Sequence, residues 1–179
     1  MDNKKIKDLI EVLLFVAGKP LSIEKLKSLT KIDKESLLKE AISCLQEEYR
    51  TLNKGIQIIN IAGGYYMCTK PEYASYINKL LKKKNRPKLS KKAMELLAII
   101  AYKQPVSKKE IERIRKADSN HLIKNLMEYK LIQQVGKKKE GLREYPIYAT
   151  TTHFLELFGL KDLNSLPQLT QVQPASRIG

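Results

Sequence analysis

The sequence predicts a mainly α fold with small β hairpins (α+β), arranged as two tandem winged-helix domains, and three observations carry that prediction. The first is an internal repeat: displaced by 85 residues, two segments align without a gap, Pro20-Leu21-Ser22 falling on Pro105-Val106-Ser107 and Asp33 on Asp118. The second is that apolar residues in both segments recur at the i, i+3, i+4 spacing that gives a helix one buried face. The third is that each segment closes on two runs rich in β-branched and aromatic residues, joined by a glycine-containing connection of the kind a hairpin needs. Three helices followed by a hairpin is the winged variant of the helix-turn-helix.

In the first unit, Ile6, Leu9, Ile10, Leu13, Leu14 and Ala17 trace a helical stripe that Gly18 ends. Ser22 is placed to cap a short helix carrying Leu26 and Leu29, and Asp33 to cap a longer one whose inner face is Leu37, Leu38, Ala41, Ile42, Leu45 and Tyr49. Residues 56–61 form a strand, Gly63-Gly64 a turn, and Tyr65 to Thr69 the returning strand. A helix from about Pro71 to Lys83, with Tyr73, Tyr76, Ile77 and Leu80, closes the unit. In the second unit, residues 91–102 form the first helix, and Ser107 with Glu110 makes a capping box for the next. Asp118 or Ser119 opens a third, with Leu122, Ile123, Leu126 and Met127 facing inward. Leu131 to Val135 and Tyr145 to Ala149 form strands on either side of a basic loop, Gly136-Lys137-Lys138-Lys139-Glu140-Gly141. The expected organisation is thus a domain over residues 1–83, a basic linker at 84–89, a domain over 90–167 and a tail at 168–179.

The 179 residues are 42% apolar and 30% charged, enough to fill a core. No apolar run reaches the roughly 20 residues of a membrane span, and the start of the chain shows no signal-peptide cleavage site. Two cysteines and two histidines offer no zinc spacing. The expectation is a cytoplasmic protein without metal or cofactor.

A net charge of +15 invites a nucleic-acid reading, but its distribution matters. Residues 1–80 carry 13 basic and 10 acidic side chains, residues 81–92 carry 7 and none, and residues 93–179 carry 14 and 9. Nearly half of the excess therefore sits in one short stretch that includes Lys82, Lys83, Lys84 and Lys88. Only 6 of the 34 basic residues are arginine, the side chain that reads guanine edges bidentately. The third helix of the second unit offers Asn120, His121, Lys124 and Asn125 outward, and its counterpart in the first unit carries Glu35, Glu40, Glu47 and Glu48. Such helices are poor readers of a DNA groove. Weak, non-specific backbone contact through the 81–92 run and through Lys137, Lys138 and Lys139 remains a reasonable expectation. Neither His121 nor His153 has a nucleophile in triad-like context, and no phosphate-binding loop or carboxylate pair stands out, so no enzyme is expected.

Residues 96–102 are apolar without interruption, which reads as a central core helix or as a helix covered on one face by another polypeptide. Tyr65, Tyr66, Tyr73 and Tyr76 suit surfaces that are dry at one end and wet at the other.

The stretch Leu97-Ala98-Ile99-Ile100-Ala101-Tyr102-Lys103-Gln104-Pro105-Val106 resembles the signature of the segregation and condensation protein B (ScpB) family. So do Glu110-Ile111-Glu112-Arg113-Ile114-Arg115 with Asp118-Ser119, and the ending Thr150-Thr151, Phe154 to Leu160 and Leu163-Asn164-Ser165-Leu166-Pro167. The opening Ile10 to Gly18 with Pro20-Leu21 is similar in a weaker way, so the resemblance spans roughly residues 5–167. The chain departs from the family at Lys116-Ala117, where Gly-Val is common, and at Ala149, where Gly is usual. It departs again in the wing, Gly141-Leu142-Arg143-Glu144-Tyr145-Pro146, in place of a glycine-arginine-proline turn. The resemblance implies a non-enzymatic tandem winged-helix subunit of the bacterial structural-maintenance-of-chromosomes (SMC) condensin, which acts at the nucleoid in chromosome condensation and segregation. It further implies a homodimer formed largely through the N-terminal domain, and a C-terminal domain that grips the central segment of the kleisin ScpA, through which the SMC ATPase is reached. Leu97, Ile100, Tyr102, Pro105 and Val106 are the expected kleisin contacts, and Tyr65, Tyr66, Tyr73 and Tyr76 the expected dimer contacts. The competing reading is a winged-helix transcription regulator, and a third is an RNA- or ribosome-associated adaptor using the basic linker.

Overall fold

A computed structural model describes residues 3–81, 89–140 and 143–168. The chain divides into two compact units, Met1–Arg86 and Pro87–Gly179. In the first, α1 (Asn3–Ala17), α2 (Ile23–Thr30) and α3 (Glu35–Thr51) precede an antiparallel hairpin of β1 (Ile56–Ile61) and β2 (Gly64–Thr69). A 3-10 turn at Pro71–Tyr73 leads into α4 (Ala74–Leu80). The core gathers Ile6, Ile10 and Leu14 of α1, Leu26 of α2, Leu38, Ile42 and Leu45 of α3, and Ile58 of the hairpin. Ser22 caps α2 by accepting from the Lys25 backbone N–H at 3.2 Å, as its place before an apolar-periodic run predicts.

Three local expectations need correction. Asp33 does not cap α3: the helix starts at Glu35 with Lys34 at its N-cap and no side-chain cap bond, because Asp33 lies one residue too early to reach the free N–H groups. Of the two leucines expected on α2, Leu26 is buried and Leu29 is exposed. The hairpin turn falls at Ala62-Gly63, where both residues take positive φ (49° and 70°), the conformation whose twist suits a two-residue hairpin. Gly64 instead opens β2, where an added Cβ would lie 2.8 Å from the Leu21 carbonyl carbon and oxygen. That close approach lets Leu21 pair with Tyr65 through two backbone hydrogen bonds of 2.9 Å, a one-residue extension of the sheet.

The second unit repeats this plan with a fuller sheet. α5 (Lys91–Lys103) is followed by β3 (Val106–Ser107), α6 (Lys108–Arg115), α7 (Asn120–Glu128), β4 (Ile132–Glu140), β5 (Arg143–Thr150), α8 (Thr152–Phe158) and a 3-10 turn at Leu163–Ser165. The strand order is β3-β5-β4, all antiparallel. Val106 and Ser107 pair with Tyr148 and Ile147, at the repeat positions of Leu21 and Ser22. Leu96, Leu97, Ile100, Ile111, Leu126 and Leu131 form the centre of the core, and Phe154 of α8 closes it. The capping box at α6 is complete: Ser107 Oγ accepts from the Glu110 N–H at 3.2 Å, and Glu110 Oε2 accepts from the Ser107 N–H at 2.9 Å.

The expected basic loop at 136–141 is not a loop. β4 runs through Glu140, so Lys137, Lys138 and Lys139 are strand residues opposite Pro146, Tyr145 and Glu144. A register shift between Gln134 and Gly136 bends the strand and carries pairing past the glycine. Met127, expected inside, is exposed at the end of α7. The helix expected over 71–83 is divided into the 3-10 turn and α4; Lys82 and Lys83 lie outside the described residues, as do Lys84, Lys88 and nearly all of the expected tail.

Candidate protein interaction surfaces

In the first unit α1 is apolar on two sides. Ile6, Ile10 and Leu14 face the core, while Val12, Phe15 and Val16 on the opposite side are 59%, 73% and 74% exposed. A surface helix ordinarily needs only one apolar stripe. The sequence carries the signal, because Leu9 to Ala17 leaves only Glu11 as a polar break. The residues expected at an interface do not include this stripe. The rest of α1 is fixed in place. Tyr49 donates its hydroxyl hydrogen to Glu11, Lys7 pairs with Glu48 beside it, and burial followed by the Glu11 contact pushes the Tyr49 phenol up to about 12.

The four tyrosines expected at a dimer contact are divided between two settings. Tyr65 and Tyr66 on β2 are half-buried, and Tyr65 packs on the core of the unit. Tyr73 and Tyr76 are exposed, Tyr73 lying over Gly55 and Tyr76 forming an apolar patch with Leu80 and Leu81 along α4. The patch is wide open: Tyr76 is 70% and Leu80 81% exposed.

In the second unit, Leu97, Ile100 and Val106, expected to touch a partner, are core residues, so the uninterrupted apolar run of α5 serves internal packing. Pro105 is exposed. Tyr102 is half-buried and donates its hydroxyl hydrogen to the Pro167 carbonyl at 2.6 Å, while Leu160 and Leu166 pack on the same core. The segment after α8 therefore lies along part of the surface that the sequence assigns to a partner.

The helix-turn-helix of α6 and α7 is closed by a buried arginine. Arg115 Nη1 donates to Ser119 Oγ at 2.7 Å and to the Asp118 carbonyl at 3.4 Å, and the Ser119 N–H donates to Glu112 Oε1 at 3.3 Å. Its Nε lies 4.0 Å from Glu95 Oε1 and makes no hydrogen bond. α7 itself carries no arginine; Asn120, His121, Lys124 and Glu128 are exposed, and Asn120, Ile123, Lys124, Met127, Glu128 and Tyr148 border a shallow groove against β5. Burial raises the Tyr148 phenol above its ordinary value. The wing is less basic in effect than in sequence. Lys137 pairs with Glu144 at 3.5 Å, Lys138 with Glu110 at 3.0 Å, and Lys109 lies 5.4 Å over the Tyr145 ring. Glu110 is held down to about 2, first by the Ser107 backbone N–H, then by the Ser107 hydroxyl and Lys138. His121 sits beside Asn125 and His153 beside Glu156. Among the described residues no three potential ligands gather to hold a metal, and no helix is long and apolar enough to cross a membrane.

A repeated three-helix-plus-wing unit, with apolar outer faces and recognition helices poor in arginine, defines a tandem winged-helix protein. The sequence model of one family, described as segregation and condensation complex subunit ScpB, matches residues 8–169. Segregation and condensation protein B of Moorella thermoacetica is 45% identical over 163 residues, covering 91% of this chain and 82% of that protein. The Clostridioides difficile protein of the same name is 40% identical over 176 residues, 97% of each chain. A crystal structure of a dimer of the ScpB N-terminal domain complexed with a ScpA peptide is 35% identical, covers 43% of this chain and 95% of that one, and has a TM-score of 0.40. The chain belongs to the ScpB family of segregation and condensation complex subunits.

Proposed function

We propose that this protein is a non-enzymatic, homodimeric subunit of the bacterial SMC–kleisin condensin, binding the central segment of the kleisin ScpA in the cytoplasm at the nucleoid. In this reading residues 1–83 supply dimerisation, residues 90–167 supply much of the kleisin contact, and residues 84–89 join them. The observation that carries it is the pair of exposed apolar faces on α1 and α4 in a chain of this family. Large contiguous apolar patches on a folded unit mark contact with another polypeptide. The dimeric, ScpA-bound state of the related N-terminal domain agrees with it. Pro105 and the α7–β5 groove are exposed parts of the second unit on which a kleisin helix would lie, whereas Leu97, Ile100 and Val106 belong to its core.

Co-expression with ScpA followed by size-exclusion chromatography with light scattering tests the proposal. A single co-eluting complex is expected, and separate elution at micromolar concentration refutes kleisin binding. The operator-binding alternative is weakly supported: α7 has no arginine, and Glu110 and Glu144 offset two of the three wing lysines. Weak DNA association, alike on all sequences and steeply salt-dependent, is expected instead. Neutralising Lys82, Lys83, Lys84 and Lys88 should lower it without affecting ScpA binding.

A further inference from the structure

We propose that the outer edge of β1 is a docking site for an extended segment of the kleisin, which joins the first unit as a third strand beside the β1–β2 hairpin. The inference rests on the kleisin reading above and gives it a place and a binding mode outside the second unit.

The alternation of hydrogen bonds in the hairpin identifies the open groups. With the turn at Ala62-Gly63, Ile61 exchanges hydrogen bonds with Gly64, and an antiparallel ladder then gives the same exchange to Ile59 with Tyr66 and to Gln57 with Cys68. The N–H and C=O groups of Ile56, Ile58 and Asn60 therefore point away from β2. The other side of the hairpin follows the same alternation: Tyr65, opposite Asn60, uses its outward groups for the two bonds to Leu21. Among the described residues, one of the outward β1 groups has a partner, the Ile58 carbonyl, which accepts from Gln46 Nε2 of α3 at 3.0 Å. An unpaired strand edge is a template for another strand.

The corresponding strand of the second unit has a guarded edge. β4 is also the outer strand of its sheet, but its register shifts between Gln134 and Gly136 and it carries Lys137, Lys138 and Lys139. Bulges and lysines are common devices against edge pairing. β1 reads Ile-Gln-Ile-Ile-Asn-Ile, with neither charge nor proline, and pairs with β2 in unbroken register. One edge of the repeat is closed to a further strand and its counterpart is open.

An extended segment fits this edge better than a second copy of the chain. Any two-fold pairing of β1 with its own copy that forms more than one rung uses Ile58 of both chains, so both Gln46 side chains have to leave, whereas one added strand displaces a single Gln46. An added strand also sends alternate side chains toward α3. There Glu11, Glu48, Tyr49, Leu52, Lys54 and Ile56 line an open groove of about 300 Å³ at the start of β1, with Leu52 64% exposed and room for one apolar side chain of the incoming segment. Gln46 acts as a gate: it holds the Ile58 carbonyl while the edge is empty and yields it to a main-chain N–H of the partner.

The test measures binding of overlapping peptides spanning the ScpA central segment to the full chain by fluorescence anisotropy. Asn60→Pro removes one outward N–H and no rung of the β1–β2 ladder, a substitution that edge strands accept, and should weaken the docking peptide about tenfold. Gln46→Ala frees the Ile58 carbonyl and should tighten binding about threefold. Two forms of that peptide, N-methylated at alternate residues in opposite phase, need no protein variant. One form should lose binding and the other keep it, because only one set of N–H groups faces β1. If both forms bind or both fail, if Asn60→Pro binds every peptide as tightly as the wild type, or if intact ScpA binds and no peptide does, the edge assignment falls and the kleisin reading stands. Weaker binding in Gln46→Ala overturns the assignment too, as does an Asn60→Pro chain that loses its own dimer, which gives the edge to a second copy. A chain that binds neither the peptides nor intact ScpA overturns both readings.

Discussion

Ser22 and Ser107 occupy the same position in the 85-residue repeat, and both cap the second helix of their unit, but removing them should have unequal consequences. Ser22 Oγ accepts from the Lys25 N–H at 3.2 Å on an exposed turn. Ser107 is fully buried, accepts from the Glu110 N–H at 3.2 Å and donates its hydroxyl hydrogen to Glu110 Oε2 at 2.7 Å. Glu110 Oε1 in turn accepts from Lys138 Nζ at 3.0 Å, so the cap fastens α6 to the wing. A simple exposed cap contributes about 0.5 kcal/mol and a well-formed one about 1 kcal/mol. Lowering the Glu110 carboxyl from 4.5 to about 2 corresponds to ~3 kcal/mol of linked stability, which solvent screening at this partly exposed site reduces to about 1.5 kcal/mol. Much of that linked energy passes through Ser107. Ser107→Ala should therefore cost about 1.5–2 kcal/mol at pH 7 and Ser22→Ala about 0.5 kcal/mol. The sign with pH is fixed by the depressed carboxyl: its contribution is complete above about 4.5 and is lost as pH falls through about 2. Urea titrations followed through amide signals of each unit, at pH 7 and pH 2.5, measure both effects. Equal costs for the two alanines, or a Ser107→Ala deficit that does not narrow in acid, would refute the coupling.

Gly64→Ala should destabilise the first unit by about 2 kcal/mol or more, because the added methyl meets the Leu21 backbone, and a urea midpoint shift measures it. Ala62→Gly should stabilise the same hairpin by about 1 kcal/mol, since Ala62 holds a left-handed φ of 49°, and the thermal midpoint of the first unit reports it. Tyr102→Phe removes the 2.6 Å bond to the Pro167 carbonyl; the segment after α8 should be cleaved faster by limited proteolysis, with about 1 kcal/mol lost from its docking.

Most of the fold could be read from the sequence because repeat, caps and apolar spacing agree with one another. The stripe of Ile6, Ile10 and Leu14, the Ser107–Glu110 box and the three helices of each unit all stand where local chemistry puts them. The larger misses share one cause, which is that local signals do not show what lies across the chain. The lysines of the wing read as a loop because glycine and charge break a strand pattern, yet cross-strand pairing with Glu144 and the reach of Lys138 to Glu110 hold them in β4. The apolar density of α5 reads equally as a core helix or as one covered by a partner, and packing decides for the core. Leu97 and Ile100 lie beneath α6, α7 and the sheet, while Phe15 and Val16, in an equally apolar helix, are left outside. Density of apolar residues found the helices that matter; only packing showed which side of each was free.

The single Leu21–Tyr65 pair gives the first unit a weak seam. In the second unit the corresponding connection is stitched into the sheet by both Val106 and Ser107. In the first it is tied by two backbone hydrogen bonds at one residue. Opening that tie would release the α1–α2 connection while leaving the β1–β2 ladder closed, so the two halves of the repeat should differ in hydrogen exchange. The amides of Leu21 and Tyr65 should exchange well before those of Val106 and its sheet partner.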